Sequence, residues 1–168
     1  MYKIYNVLSN NERKKFIKDI KPFLRQHEDV NNNFYPGKQT PANLHEQPMF
    51  ASLMNSIIDK IRKETKLNLG IYRSWVKWSN GKSDQTNWHH HYRKQDTSLV
   101  AVYYLKTLPF FSNGTLFREK FVRVPQNSLL LFPNHLEHTA PTSPFRLDRY
   151  TMGMDLFLDF PPYGARIR

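Results

Sequence analysis

The residues best suited to chemistry are histidines. His89-His90-His91 stand together between Trp88 and Tyr92, and a second group follows in Phe132-Pro133-Asn134-His135-Leu136-Glu137-His138. On an extended backbone successive side chains alternate faces, so His89 and His91 point one way and His90 the other. Two converging imidazoles need one more ligand from a distant segment, and His138 is the candidate; His135 is out of phase with it. The expected centre is His89, His91 and His138. The chain has no cysteine, which excludes disulfides, thiolate zinc sites, iron–sulfur clusters and a cysteine nucleophile together. Any metal must sit on His, Asp or Glu. No Ser/His/Asp or paired-carboxylate constellation competes with that reading.

The elements that must position these residues follow from periodicity. Met1–Leu8 alternates enough for a short strand. Ser9-Asn10-Asn11-Glu12 has capping-box spacing, and Phe16, Ile17, Ile20, Phe23 and Leu24 recur at helical intervals behind it. Pro22 should end that helix near Lys21. Residues 29–43, rich in Asn, Gly and Pro, read as a loop. A second helix is expected from Pro48 to before Gly70, with Phe50, Leu53, Met54, Ile57, Ile58 and Ile61 as its core stripe. From Gly70 onward the period is two. Strand segments are expected at 71–78, the histidine segment, 99–105, 115–117, 120–125, 128–132, 138–140 and 149–160. Two helices followed by short strands predict an α+β fold with the strands in a sandwich or barrel.

The chain of 168 residues is expected to form one domain, with supporting elements in 1–69, a β core in 70–160 and a tail in 161–168. No apolar run reaches the roughly 18 residues that span a membrane, and Met1–Asn6 is too polar for the apolar part of a signal peptide. The expectation is a soluble protein of a reducing, cytoplasmic compartment. The formal charge of +11 favours an acidic partner, although the basic residues are scattered rather than clustered. A solvated basic surface explains that charge equally well.

Five pieces in order carry a family resemblance: His89 and His91; Val102-Tyr103-Tyr104-Leu105; Gly114-Thr115-Leu116-Phe117; Phe132-Pro133-Asn134-His135-Leu136-Glu137-His138; and Arg149-Tyr150-Thr151. The chain resembles the iron(II)- and 2-oxoglutarate-dependent oxygenases, in particular the short ones of bacteriophages and marine bacteria. The resemblance spans about residues 71–160. It implies a double-stranded β-helix (jelly-roll barrel) with the two N-terminal helices packed on one sheet and the metal at the barrel mouth. It implies Fe(II) and the cosubstrate 2-oxoglutarate, with oxygen as the other reactant and hydroxylation as the outcome. Arg149 and Thr151 are expected to hold the far carboxylate of 2-oxoglutarate, with the Tyr104 hydroxyl within reach of it. Val100, Val102 and Trp78 are expected around the pocket. Arg146 is the runner-up to Arg149.

Two departures stand out. The common family pattern is His-x-Asp, whereas this chain has His91 at the second position. Asp96 is the nearest downstream acid that could take the place of His91. Val100-Ala101 replaces a Ser-Gly pair common in that branch, which makes the pocket wall more apolar. The prime substrate is unnamed by the sequence, with the charge tilting it toward an acidic macromolecule. Two other readings remain: a cupin-like metal-binding β-barrel without 2-oxoglutarate, and a basic nucleic-acid-binding protein.

Overall fold

The computed structural model describes residues 1–28, 34–80, 88–91, 98–107, 113–141 and 146–158. Asp96 and the expected tail 161–168 lie outside them. In chain order the elements are β1 (Tyr2–Ile4), α1 (Asn10–Ile20), β2 (Arg25–Glu28), β3 (Phe34–Gln39), α2 (Pro48–Thr65), β4 (Leu69–Ser79), β5 (Leu99–Lys106), β6 (Gly114–Phe117), β7 (Phe121–Arg123), β8 (Ser128–Pro133), β9 (His138–Thr139) and β10 (Arg149–Leu158). A seven-stranded antiparallel sheet runs β1-β8-β5-β10-β4-β3-β2, and a three-stranded sheet runs β7-β6-β9. This mixed architecture of two helices and antiparallel sheets is that of the double-stranded β-helix.

Local chemistry accounts for the helices. Ser9 and Glu12 form the reciprocal capping box, with Ser9 N–H donating to Glu12 Oε2 (2.9 Å) and Glu12 N–H to Ser9 Oγ (3.3 Å). Helix α1 stops at Ile20, and a 3-10 turn through Pro22 follows, because proline cannot continue the hydrogen-bond ladder. Helix α2 starts on Pro48 and ends at Lys66 in the left-handed conformation (φ 60°). One expectation fails. Part of the segment taken as a loop, 29–43, is strand β3, which pairs with β4 and β2. Its Pro-Gly pair masked the signal, since proline is tolerated on strands near a sheet edge.

The large sheet is buried on both faces, so β5 reads as an unbroken apolar run. Its alternation still sorts the two cores. Ala101, Tyr103 and Leu105 join Phe16, Ile20, Phe50, Met54, Ile57 and Ile61 in the helix-side core. Val100 and Tyr104 join Phe117, Val122, Val124, Leu130 and Phe132 between the sheets. Tyr103 is fully buried on the helix side, where its hydroxyl donates to Asn127 Oδ1 (2.6 Å). Arg13 enters the same side and donates to the carbonyl of Leu105 (2.6 Å). Among the described residues no helix is long and apolar enough to cross a membrane.

Candidate metal centre and its cavity

The histidine segment is held by a single antiparallel bridge rather than a full strand. His89 N–H donates to the His138 carbonyl (3.1 Å), His138 N–H to the His89 carbonyl (2.9 Å), and His91 N–H to the Asn134 carbonyl (2.9 Å). The pairing lays 89–91 against 134–138 and joins the two sequence groups. Trp88 beside it is covered by the Arg118 guanidinium at 4.2 Å, and Arg118 in turn pairs with Glu137 (2.7 Å).

The structure brings His89, His91 and His138 together, with one ligand nitrogen from each within 4.8 Å of the others. Ligands at right angles, 2.1 Å from an ion, lie about 3 Å apart, so small ring movements close the set. The rings are 4.4 Å (His89–His138) and 5.2 Å (His89–His91 and His91–His138) apart at their centres. His138 is buried and its Nδ1 donates to the Leu136 carbonyl (3.0 Å), which leaves Nε2 for the centre. Burial, then the neighbouring His89, push its pKa down to about 3, so the ring stays neutral as a ligand must. His90 is exposed at the rim.

The ring of His91 is fixed more firmly. Its Nδ1 lies 2.6 Å from Asp155 Oδ1, and Asp155 is 2% exposed. Its face stacks on Trp75 at 5.6 Å with planes 12° apart. Asp155 Oδ2 lies 4.0 Å from the Arg73 guanidinium. Neither Asp155 nor Trp75 was legible as a site residue. The available signal was Asp155 inside an apolar strand, where a buried carboxylate requires a partner.

A cavity of about 390 Å³ opens from the three histidines, within the usual range for small-molecule sites. Val100, Val102, Thr115, Arg149, Thr151 and Asp155 line it, as do Arg73, Trp75 and Lys77 of β4. Cross-strand register puts these residues in rows: Lys77 opposite Thr151, Trp75 opposite Gly153, and Arg73 opposite Asp155. Arg149 is 5% exposed, and one of its nitrogens donates to the Gly114 carbonyl (3.3 Å). Gly114 has φ +151°, and a Cβ there would meet the Val122 carbonyl at 2.1 Å, so only glycine places that acceptor. Arg146 is exposed and does not line the cavity.

Two residues expected at the pocket, Trp78 and Tyr104, are not among those that line the cavity. Trp78 packs on the helix-side core and its Nε1 donates to Asp148 (3.0 Å), because it shares with Val76, two residues earlier, the face of β4 turned to the helices. The cavity's tryptophan is Trp75, one alternation away. Tyr104 is fully buried behind the wall, its hydroxyl hydrogen-bonded to Thr115 Oγ1 and its pKa pushed up to about 12 by burial. Thr115, its partner, lines the cavity, as do Thr139 and Thr151.

No family model and no curated protein matches the chain. Solved structures match the fold. A viral collagen prolyl hydroxylase from Paramecium Bursaria Chlorella virus-1, crystallised as a 2-oxoglutarate complex, aligns with TM-score 0.64 and 13% identity over 92% of this chain and 93% of that one. A prolyl hydroxylase from Trichoplax adhaerens, in complex with a hypoxia-inducible-factor peptide fragment, aligns with TM-score 0.65 and 16% identity, covering 93% and 82%. HygX from Streptomyces hygroscopicus, with nickel and 2-oxoglutarate bound, aligns with TM-score 0.65 and 14% identity, covering 94% and 82%.

Proposed function

We propose that the chain is a non-haem iron(II)- and 2-oxoglutarate-dependent dioxygenase acting as a hydroxylase. The observation that carries this reading is the shared cavity: three convergent imidazoles and the buried guanidinium of Arg149 line the same space. The fold neighbours support it, since their crystals hold 2-oxoglutarate or nickel on the same framework. Imidazole donors hold iron as they hold nickel, copper or zinc, and a three-sided set leaves positions open for other ligands. His89, His91 and His138 would hold the ion, which with 2-oxoglutarate and oxygen supplies the oxidising power for hydroxylation of a C–H bond.

The chain's own residues bind and orient. The Arg149 guanidinium offers a planar fork for both oxygens of the far carboxylate of 2-oxoglutarate, and Thr151, two residues on and on the same face, adds a hydroxyl donor. Tyr104 acts one step back by hydrogen-bonding Thr115, a residue that lines the cavity. Val100 and Val102 give the cavity an apolar stretch of wall that excludes water. Among the described lining residues, Arg73 and Lys77 stand beside Arg149, with Asp155 as the one carboxylate. That surplus of cations favours an anionic substrate group, in line with the net charge of +11. The absence of cysteine suits an intracellular setting.

Anaerobic addition of iron(II) and then 2-oxoglutarate should give the visible charge-transfer band of the chelate. Arg149→Met removes one partner of a buried charge pair, a loss of roughly 3–5 kcal/mol or about a hundred- to a few thousand-fold in affinity. That variant should bind iron like the parent yet fail to turn over 2-oxoglutarate at concentrations that saturate the parent. Iron binding with no such band would instead favour the cupin-like reading.

A further inference from the structure

The chain carries His91 where the common pattern His-x-Asp has its ligand carboxylate, and among the described residues a carboxylate stands next to that histidine, outside the coordination shell. We propose that Asp155 supplies that negative charge through His91, as a positioning residue whose carboxylate accepts from Nδ1–H and so commits Nε2 to the metal. The inference rests on the metal-centre reading above, and it concerns how the centre is tuned.

Three observations carry it. The Asp155–His91 contact is short, 2.6 Å, and Asp155 is 2% exposed, so the interaction is little screened by water. The carboxylate is aimed by the sheet: Asp155 sits on β10 opposite Arg73 of β4 and Val100 of β5, with a register shift immediately after it against β4. Such irregularities turn a side chain away from its regular direction. Finally, the His91 ring is clamped from its face by Trp75. The ring is therefore held by its edge and its face before any ion arrives.

The electrostatic consequence is specific. A neutral third imidazole leaves the centre one unit more positive than a carboxylate would. A carboxylate hydrogen-bonded to that imidazole strengthens its other nitrogen as a donor and places a negative charge within one hydrogen bond of the ligand set, partly offset by the Arg73 guanidinium 4.0 Å from its other oxygen. The ordinary alternative is a buried ion pair that merely joins β10 to the histidine segment. That role would support the fold whether or not His91 is a ligand.

The test is a double-mutant cycle read by binding of Ni(II) alone and by the visible bands of bound Co(II), without 2-oxoglutarate. His138→Ala serves as the control for the metal centre itself. Asp155→Asn should weaken Ni(II) binding about 10- to 100-fold and shift the Co(II) bands. The same change made in a His91→Gln background should do neither, because the route through the ring is gone. Equal weakening in both backgrounds, or unchanged affinity in the first, overturns the proposal. Absence of Ni(II) binding by the parent overturns the metal centre and this role with it. A measurement on the parent alone guards against a variant that fails to fold. In the Zn(II)-loaded protein, nitrogen NMR should show His91 protonated at Nδ1 and bound through Nε2, and the opposite tautomer would overturn the assignment.

Discussion

Gly153→Ala is a one-carbon change that tests the cavity's construction. An ideal Cβ at Gly153 would lie 2.5 Å from Cζ2 and 2.6 Å from Cε2 of Trp75, where ordinary carbon contacts are about 3.5–4.0 Å. The indole must retreat by about 1 Å. The indole is stacked on His91, which is itself hydrogen-bonded to Asp155, so its displacement is expected to disturb that histidine. Gly153 lies in a regular strand, so alanine meets no backbone penalty and stiffens the unfolded chain by about 0.4–1 kcal/mol in the protein's favour. Overpacking costs about 1–3 kcal/mol and outweighs it. A net loss of about 1–2 kcal/mol should lower the melting midpoint by roughly 2–8 °C for a chain of this size. Displacement of His91 should also weaken Ni(II) binding. Thermal unfolding followed by circular dichroism, in parent and Trp75→Leu backgrounds, reads the coupling directly. If Gly153→Ala lowers the midpoint equally in both backgrounds, the contact with the indole is not the cause and the reasoning fails.

Two further outcomes are expected. The folded state holds His138 neutral, with a pKa of about 3 against 6.5 for the free group, so the unfolded chain binds the extra proton first. Stability of the metal-free protein should therefore fall as pH drops from about 6.5 toward 3, by up to about 1.4 kcal/mol per pH unit from this group, and His138→Gln should flatten that part of a urea-denaturation series. If the cationic cavity and surface serve an acidic substrate, its affinity should drop steeply between low and physiological salt while Ni(II) affinity changes little; a flat response in titrations of that substrate would remove the role given to the charge.

Much of the fold was legible because its signals are local. The Ser9–Glu12 box, Pro22, the stripe of α2 and the two-residue period after Gly70 each depend on neighbours in sequence. What escaped depends on pairs far apart. β3 was hidden by Pro36-Gly37, and its pairing with β4 is visible only in space. The choice between Trp75 and Trp78 turns on strand phase, which β4 does not reveal because both its faces are covered. Tyr104 could be placed on the inner face, yet nothing in the sequence says that Thr115 stands in front of it. Asp155 is sixty-four positions from His91, so a search for acids near the histidine triplet finds Asp96 first.

The position of β10 bears on how the molecule comes to exist. It lies between β4 and β5 in the large sheet and pairs with both, yet it is the latest of the described strands to leave the ribosome. Until it arrives, β4 and β5 each present an open edge rich in valine, tryptophan and tyrosine. Such edges recruit other chains. Closing the sheet also requires contacts of large sequence separation, such as Tyr2 with Leu131, and folding dominated by non-local pairing is slow. Synthesis and folding are thus out of step in this chain. The same insertion that carries Arg149, Thr151 and Asp155 into the cavity removes both exposed edges at once, so a nascent chain arrested before residue 149 both lacks these cavity residues and is at its most prone to aggregate.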